Sequence, residues 1–291
     1  MDIAASRIVK GAAATLSWQG VDSDGEPANP GTVTVGVTRS DGTTVVASGT
    51  ATGGTSTAPR TIALTASQTA SCDLLTATWS VSGTVLATTL HEVVGGVYVD
   101  VATIRATDTS LASTTLYPSA KIIAQRAEVE RMFESATGVA WVPRFSVKRY
   151  SGTGTTSLAL DMPKLRRVAW VRVYTDGDTY TSFTADELAA IPANDAGIAV
   201  RTDGEWWEPG VNNIEIGWEH GYDAPPADLR KAAIIATRMA LNATATGIPD
   251  RSQTFQMVDG GTIVFEANGV TGVKAIDSVL ARYDHRVPGI A

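Results

Sequence analysis

The segment from Ile214 to Gly247 constrains the fold more than any other part of the chain, because it joins a short alternating strand to a long helix. Ile214, Ile216 and Trp218 alternate with charged or small residues, which is typical of a half-buried strand. Pro225 and Pro226 cannot extend a β-ladder, but they suit the first turn of a helix. The segment therefore predicts a strand followed directly by a helix that begins near Pro226.

The predicted helix has small side chains along one face. Apolar residues recur at spacings of three and four, which places them on a single stripe. Alanines in such a stripe allow another helix to approach closely, either inside the subunit or from a neighbouring subunit. The candidate subunit-packing residues are Leu229, Ala232, Ala233, Ala236, Met239 and Ala240.

The first hundred residues have a different composition, rich in Thr, Ser, Gly, Ala and Val, with short alternating runs between turn signals. This pattern is typical of a β-sandwich, and the number of runs suits an immunoglobulin-like one. The candidate strands are residues 13–19, 32–39, 44–50, 60–65, 75–82, 85–92 and 97–101. We expect Trp18 and Trp79 to pack in the core of this sandwich.

Beyond residue 100 the charge density rises and helical patterns appear. A helix is predicted from Pro118 to a cap at Gly138, followed by short strands in an antiparallel meander and a last short helix near residues 273–283. The predicted fold class is α+β with two domains. Residues 1–100 form the immunoglobulin-like β-sandwich, and residues 101–291 form a helical domain with antiparallel β-hairpins.

The overall charge argues against binding nucleic acid through a broad basic face, since the net charge is -7 and the isoelectric point about 5.0. A local basic cluster contains Lys148, Arg149, Lys164, Arg166 and Arg167. Aromatic residues do not interleave it as stacking platforms would. A solvated or subunit-facing edge is therefore favoured over a nucleic-acid site.

Membrane insertion and disulfide chemistry are not indicated. No apolar run approaches the roughly 20 residues needed to cross a bilayer, so we expect no membrane partner. Cys72 is the one cysteine in the sequence, so no intrachain disulfide can form. Packing is the favoured role for its side chain.

No catalytic or metal-binding pattern emerges from the sequence. His91, His220 and His285 lie in three separate regions, and none has metal-ligand spacing to Cys72 or to another histidine. The Gly152–Gly154 segment resembles half of a phosphate loop but lacks the lysine and leads into a predicted strand. We therefore expect no enzymatic activity, no cofactor and no metal.

The order of elements after residue 100 resembles a known family. The segments that carry this resemblance are LYPSAKIIAQRAEVERMFESATGVAWVPR, IEIGWEHGYDAPPADLRKAAIIATRMAL and IDSVLARYDHRVPG. Together they resemble the head-to-tail connector proteins, or adaptors, of long-tailed bacteriophages, over about residues 101–291. The resemblance implies a virion protein made in the host cytoplasm, which forms a ring of usually twelve subunits under the portal vertex. Its implied partners are itself, the portal protein, the next neck or tail-completion protein, and genomic DNA that passes through without sequence-specific binding.

The same resemblance suggests a role for the C-terminal tail. The candidate portal-binding residues are Tyr283, Asp284, His285, Arg286, Val287 and Pro288. Arg286 and Val287 offer charge and apolar contact, and Pro288 prevents continuation of the helix. The alternative for this segment is a frayed terminus.

A second function from another class stays open at the level of sequence. In this alternative, the chain is a carbohydrate-binding or adhesin-like virion protein that acts through its N-terminal β-sandwich. Immunoglobulin-like modules host many functions, so the predicted fold of this part does not choose between the two.

Overall fold

The computed structural model describes residues 6–28, 31–55, 58–107, 109–246, 254–256, 262–264 and 270–285. The chain forms two compact units, and each is built from two segments. Unit 1 consists of Met1–Gly96 and Val142–Tyr222, and unit 2 of Val97–Trp141 and Asp223–Ala291. Two domains divided at residue 100, in the sense of independently folding parts, stay a prediction.

The first segment of unit 1 forms two sheets. Eight strands build them: β1 (Ser6–Val9), β2 (Ala14–Trp18), β3 (Thr34–Arg39), β4 (Thr44–Thr50), β5 (Thr52–Thr55), β6 (Ala58–Leu64), β7 (Asp73–Val81) and β8 (Thr84–Val94). The larger sheet has the order β1-β8-β7-β3-β4, with β1 parallel to β8, and the smaller has the order β2-β6-β5. Strands β1 and β5 are absent from the sequence prediction.

One apolar core joins these two sheets. It contains Val35, Leu75 and Trp79 of the larger sheet together with Leu16 and Leu64 of the smaller one. The Trp18 ring lies 5.9 Å from the fully buried Trp79 ring, so the predicted core role of both tryptophans is confirmed. The two sheets therefore pack face to face, as alternating inward side chains require.

The second segment of unit 1 adds a further antiparallel sheet and a short helix. Its elements are β9 (Arg144–Gly152), β10 (Ser157–Ala159), β11 (Leu165–Tyr174), β12 (Tyr180–Ser182), α3 (Ala185–Ala189), β13 (Ile198–Val200) and β14 (Gly210–His220). The order of the four-stranded sheet is β12-β11-β14-β9, while β10 pairs with β13. The predicted meander is therefore wrong, because β14 lies between two strands that precede it in the chain.

Strand β14 is buried on the face that its alternation predicts, but it is not half-buried throughout, because Gly217 and Glu219 on the opposite face are buried too. Ile214, Ile216 and Trp218 are at most 1% exposed and belong to the core of this sheet. The remaining core side chains come mainly from β11, β13 and the loop that carries Trp207. Strand β14 occupies an interior position of the sheet, because it pairs with β11 on one side and with β9 on the other.

Unit 2 is mainly helical. Its elements are α1 (Val101–Ala106), a 3-10 turn (Thr109–Ala112), α2 (Ser119–Thr137), α4 (Ala227–Thr246), a hairpin of β15 (Thr254–Gln256) and β16 (Thr262–Val264), and α5 (Lys274–Arg282). Helix α2 ends at Gly138 in the left-handed conformation, with φ of 71°, as its sequence predicts. Helix α4 contacts both α2 and α5.

The predicted strand at residues 97–101 is wrong. Asp100 instead caps α1, because its carboxylate accepts a hydrogen bond of 2.7 Å from the Thr103 backbone N–H. Such a cap satisfies a donor that the first helical turn leaves without a partner, and it outweighs the local β-propensity of the valines.

The fold class is α+β, with most of the sheet in the N-terminal part and five α-helices among the described residues. Across the described part of the chain, no helix is both long and apolar enough to cross a membrane.

Candidate interaction surfaces

The predicted subunit-packing helix α4 turns its small residues toward the interior of unit 2. Leu229, Ala232, Ala233 and Ala236 are between 0% and 7% exposed. Met239 is 37% exposed, and Ala240 is partly exposed. The stripe thus serves the contacts of α4 with α2 and α5, while Met239 stays accessible from outside.

The outer side of α4 carries cations and partly exposed apolar residues. Arg230 and Lys231 are exposed, and neither makes an ion pair with another described residue. Ile234 and Ile235, one turn further along, are partly exposed. The positive end of the helix dipole lies at this terminus, so the two cations gain nothing from α4 itself.

The start of the predicted portal-binding tail is anchored within unit 2. The His285 backbone N–H donates to the Thr137 carbonyl at 2.8 Å, and the Trp141 ring lies 5.2 Å from the Tyr283 ring and 6.1 Å from the His285 ring. Asp284 and His285 are exposed, and Tyr283 is half-buried. Arg286, Val287 and Pro288 lie outside the described residues.

Asp228, in the first turn of α4, binds two residues at the end of α5. The Tyr283 hydroxyl donates to its carboxylate at 2.8 Å, and Arg282 forms an ion pair with it at 3.0 Å. The hydrogen bond from Tyr283, together with one from the Leu229 backbone N–H, holds the pKa of Asp228 below its usual range. The same hydrogen bond raises the pKa of Tyr283.

Unit 1 contains an open groove of about 970 Å³ beside the hairpin of β11 and β12 and the loop before β14. Two arginines, Arg149 and Arg201, and five carboxylates line it, which leaves a net charge of -3. The five carboxylates are those of Asp176, Glu187, Asp203, Glu205 and Glu208. The groove is therefore acidic at neutral pH.

The two arginines of the groove are already engaged. Arg201 forms ion pairs with Asp203 at 2.7 Å and Glu187 at 3.6 Å, and its guanidinium lies 4.6 Å from the centre of the Phe183 ring. Arg149 contacts Glu215 at 3.5 Å and stacks on Tyr174 at 4.0 Å. Asp176, Glu205 and Glu208 have no ion pair within the described ranges, so these three carboxylates contribute most of the unbalanced negative charge.

The groove also exposes apolar side chains. Trp206 is 66% exposed and Val211 85% exposed. Trp207, which follows Trp206 in the chain, is fully buried. Its ring N–H donates to the Ala199 carbonyl at 3.0 Å, and its ring stacks on Phe183. Sequence analysis missed this surface, although two consecutive tryptophans are a usable signal, since neighbours in an extended chain point to opposite sides.

The wall of the groove that carries Glu208 is held against β9. Asn213 accepts a hydrogen bond from the Gly152 backbone N–H at 2.9 Å and donates one to the Glu208 carbonyl at 2.9 Å. A Cβ at position 152 would lie 1.6 Å from that carbonyl oxygen. Gly152 thus allows a close approach that no other residue type permits.

Every cation of the basic cluster from the sequence makes an ion pair, and the five cations share four carboxylates. Lys148 pairs with Asp161, Lys164 with Asp195 at 2.6 Å, and Arg149 with Glu215; Arg166 and Arg167 both reach Glu219, at 3.0 and 4.0 Å. These carboxylates would compete with phosphate for the same cations. The arrangement favours a solvated edge, as the sequence predicts, over a nucleic-acid site.

Two titratable residues in the interior of unit 1, His220 and Cys72, are kept uncharged by burial. Burial lowers the pKa of His220 to about 3, and its Nε2 atom lies 2.9 Å from the Ser146 hydroxyl. Burial raises the pKa of the Cys72 thiol to about 12, which keeps it protonated and unreactive. Among the described residues, no group of three or more His, Cys, Asp or Glu side chains is arranged to hold a metal ion.

Comparisons with known proteins give structural neighbours only. No family model matches the chain, and no curated protein matches it. One similar solved structure is the neck of an empty gene transfer agent particle computed with C6 symmetry, with 14% identity, a TM-score of 0.43, and coverage of 66% of this chain and 92% of that one. Another is the virion of a native gene transfer agent particle, with 14% identity, a TM-score of 0.39, and coverage of 59% and 81%.

At 14% identity and TM-scores below 0.5, neither likeness defines the function of this chain. The function is therefore argued from the residues of the chain itself.

Proposed function

We propose that this chain is a structural virion protein, a head-to-tail adaptor that forms a ring of twelve subunits between portal and tail. The genome passes through the ring without sequence-specific binding. The chain is made in the host cytoplasm and performs no catalysis. Its partners are other copies of itself, the portal protein and the next neck or tail-completion protein.

The observation that carries this proposal is the assembly of α2, α4 and α5 into one unit. The three helices lie in the three segments that resemble adaptors, and more than 80 residues separate α2 from α4 in the chain. Helix α4 nevertheless contacts both of the others. The helices of the three segments thus pack together in unit 2, while the strand that opens the second segment belongs to unit 1.

Helices α2 and α4 run antiparallel in unit 2. The Tyr117 hydroxyl, just before α2, donates to Asn242 near the end of α4 at 3.3 Å. At the other end, Thr137 closes α2 near His285, while Asp228 at the start of α4 binds Tyr283. The proposed tail therefore leaves from the end of the bundle where α2 stops and α4 starts.

The negative charge of the chain supports a conduit for DNA. Double-stranded DNA carries about one negative charge per 1.7 Å of its axis and would adhere to a basic wall. The carboxylates paired with the basic cluster and the acidic groove both lower that tendency. An electrostatic map of the assembled ring checks this point, and a strongly basic lumen would contradict it.

The two N-terminal sheets form, in this proposal, an immunoglobulin-like β-sandwich that faces outward and braces neighbouring neck components. Their shared core around Trp79 supports the assignment as a sandwich. In the alternative function, a carbohydrate-binding or adhesin-like role, the same sandwich would bind cell-wall glycans.

The deciding experiment is size-exclusion chromatography of the purified full chain, followed by negative-stain electron microscopy. A ring of about twelve subunits with a central hole supports the adaptor. A monomer or trimer that binds cell-wall glycans in a pull-down would replace it with the alternative. Both readouts use the intact chain.

A further inference from the structure

We propose that the acidic groove of unit 1 in one subunit binds the outer side of α4, with Arg230 and Lys231, in the next subunit of the ring. This inference rests on the proposed ring. Each subunit would then use two different surfaces: its groove binds one neighbour, and the outer side of its α4 binds the other neighbour.

The charges of the two surfaces are complementary, and none of the four groups has a close ion pair in the described part of the chain; the charge of Glu205 acts on Arg201 from a greater distance and helps to raise the pKa of Arg201. Glu205 and Glu208 are exposed on the groove and lack ion pairs among the residues that the structure describes. Arg230 and Lys231 are exposed on α4 and lack ion pairs within the same residues. Opposite charges that meet at an interface set its register and suppress other pairings.

The apolar groups of the two surfaces match as well. The groove exposes Trp206 and Val211, which are 66% and 85% exposed. The outer side of α4 offers the 37% exposed Met239 and the partly exposed Ile234 and Ile235. An exposed tryptophan that enters an apolar contact is a typical anchor of a protein interface.

Ring symmetry requires such a pair of surfaces. A closed ring is built from heterologous contacts, in which one surface of each subunit meets a different surface of its neighbour. An acidic groove repels the groove of another copy, and the α4 cations repel each other. Binding between groove and α4 avoids both repulsions.

Two charge-reversal variants of the full chain test this assignment. The groove variant carries Glu205→Lys and Glu208→Lys, and the helix variant carries Arg230→Glu and Lys231→Glu. Each variant alone places like charges at every contact, so we expect each to run as a monomer in size-exclusion chromatography with light scattering. In an equimolar mixture every contact between the two variants is complementary again, and we expect oligomers to return.

A matched control variant carries Asp24→Lys and Glu26→Lys, which add the same charge to an exposed loop outside the groove. We expect it to assemble as the wild type does. Circular dichroism of all variants checks that loss of assembly is not loss of folding, and restoration in the mixture excludes misfolding independently. Raising the salt concentration is expected to dissociate the mixed oligomer, because exposed ionic contacts are screened.

The failures of the two proposals are distinguishable. If both reversed variants form rings like the wild type, the groove and α4 are not the interface, while the ring itself stands. If both fail and the mixture also fails, charge complementarity between these surfaces is refuted. If the wild-type chain forms no ring, the adaptor proposal falls together with this inference.

Discussion

At the scale of single residues, Gly152 determines how closely the groove wall approaches β9. Replacement by alanine would place a methyl group against the Glu208 carbonyl oxygen, where 1.6 Å is available. We expect Gly152→Ala to lower the free energy of unfolding by about 1–3 kcal/mol, as overpacking typically does. Chemical denaturation monitored by tryptophan fluorescence measures the change.

The matched control is Gly177→Ala, a second glycine of the same groove. A Cβ at position 177 would meet no heavy atom within 4 Å. Its effect is expected to stay within about 0.5 kcal/mol, as for most surface substitutions. Equal effects of the two substitutions would show that the close approach of Glu208 to β9 does not matter for stability.

Asp228 gives unit 2 a pH-dependent contact. Its depressed pKa means that the folded state favours the charged carboxylate, so the stabilisation is present at neutral pH and is lost as the pH falls through the lowered pKa. We expect Asp228→Asn to increase hydrogen exchange in α5 at neutral pH. The difference from the wild type should shrink in acid, where Asp228 itself becomes protonated.

Hydrogen exchange followed by mass spectrometry at neutral and acidic pH gives this comparison. Asp24→Asn is the control, because the Asp24 side chain is exposed and has no hydrogen bond among the described residues. A difference for Asp228→Asn that does not change with pH would refute the ionic origin of the contact.

At the scale of elements, α4 has two sides with separate tasks. Its small, buried residues face α2 and α5, while its outer side carries the cations, Met239 and the partly exposed isoleucines. A buried alanine in such a contact sets how closely the helices approach. The two sides are therefore expected to respond differently to substitution.

We expect Ala236→Leu to destabilise the isolated subunit by about 1–3 kcal/mol, because the added carbons have no space in a packed interior. Met239→Gln on the outer side should leave subunit stability within about 0.5 kcal/mol and weaken assembly instead. Urea denaturation and light scattering separate the two effects. The reverse pattern would mean that the small stripe faces a neighbouring subunit.

At the scale of the whole molecule, the tail is expected to connect the ring to the portal. The structure shows where to cut, since His285 is bound to Thr137 and contacts Trp141, so that removal of residues 284–291 would also disturb the bundle. A shorter deletion, of residues 286–291, leaves these contacts intact. We expect it to abolish co-sedimentation with portal rings while ring formation persists.

The control for this deletion is the oligomeric state of the truncated chain, measured by light scattering before portal rings are added. Binding to portal rings that equals that of the full chain would exclude the tail as the connecting segment. Loss of both oligomer and binding would show that the tail acts within the adaptor ring and not on the portal.

The local elements could largely be predicted from the sequence. Helix α4 begins next to Pro226, whose carbonyl accepts the Arg230 backbone N–H at 2.9 Å, and α2 ends at Gly138. The alternation at residues 214–218 also identified the buried face of β14. These features depend on residues within one turn or one strand of each other, so the sequence alone carries the necessary information.

The strand order and the exposed groove could not be predicted in this way. Strand β14 pairs with β9 and β11, and the choice among possible partners depends on which pairing buries the most apolar surface. The exposure of Trp206 and the burial of Trp207 follow from the same choice.

The sequence by itself thus determined the start of α4 and the end of α2, because caps, prolines and periodicity act over a few residues, whereas β1, β5 and α1 were missed. Only the tertiary structure decided which surfaces remain accessible for assembly, since the exposure of a side chain depends on elements far away in the chain. For α4 this means that the sequence identified its stripe of small residues, and the packing of α2 and α5 assigned that stripe to the interior.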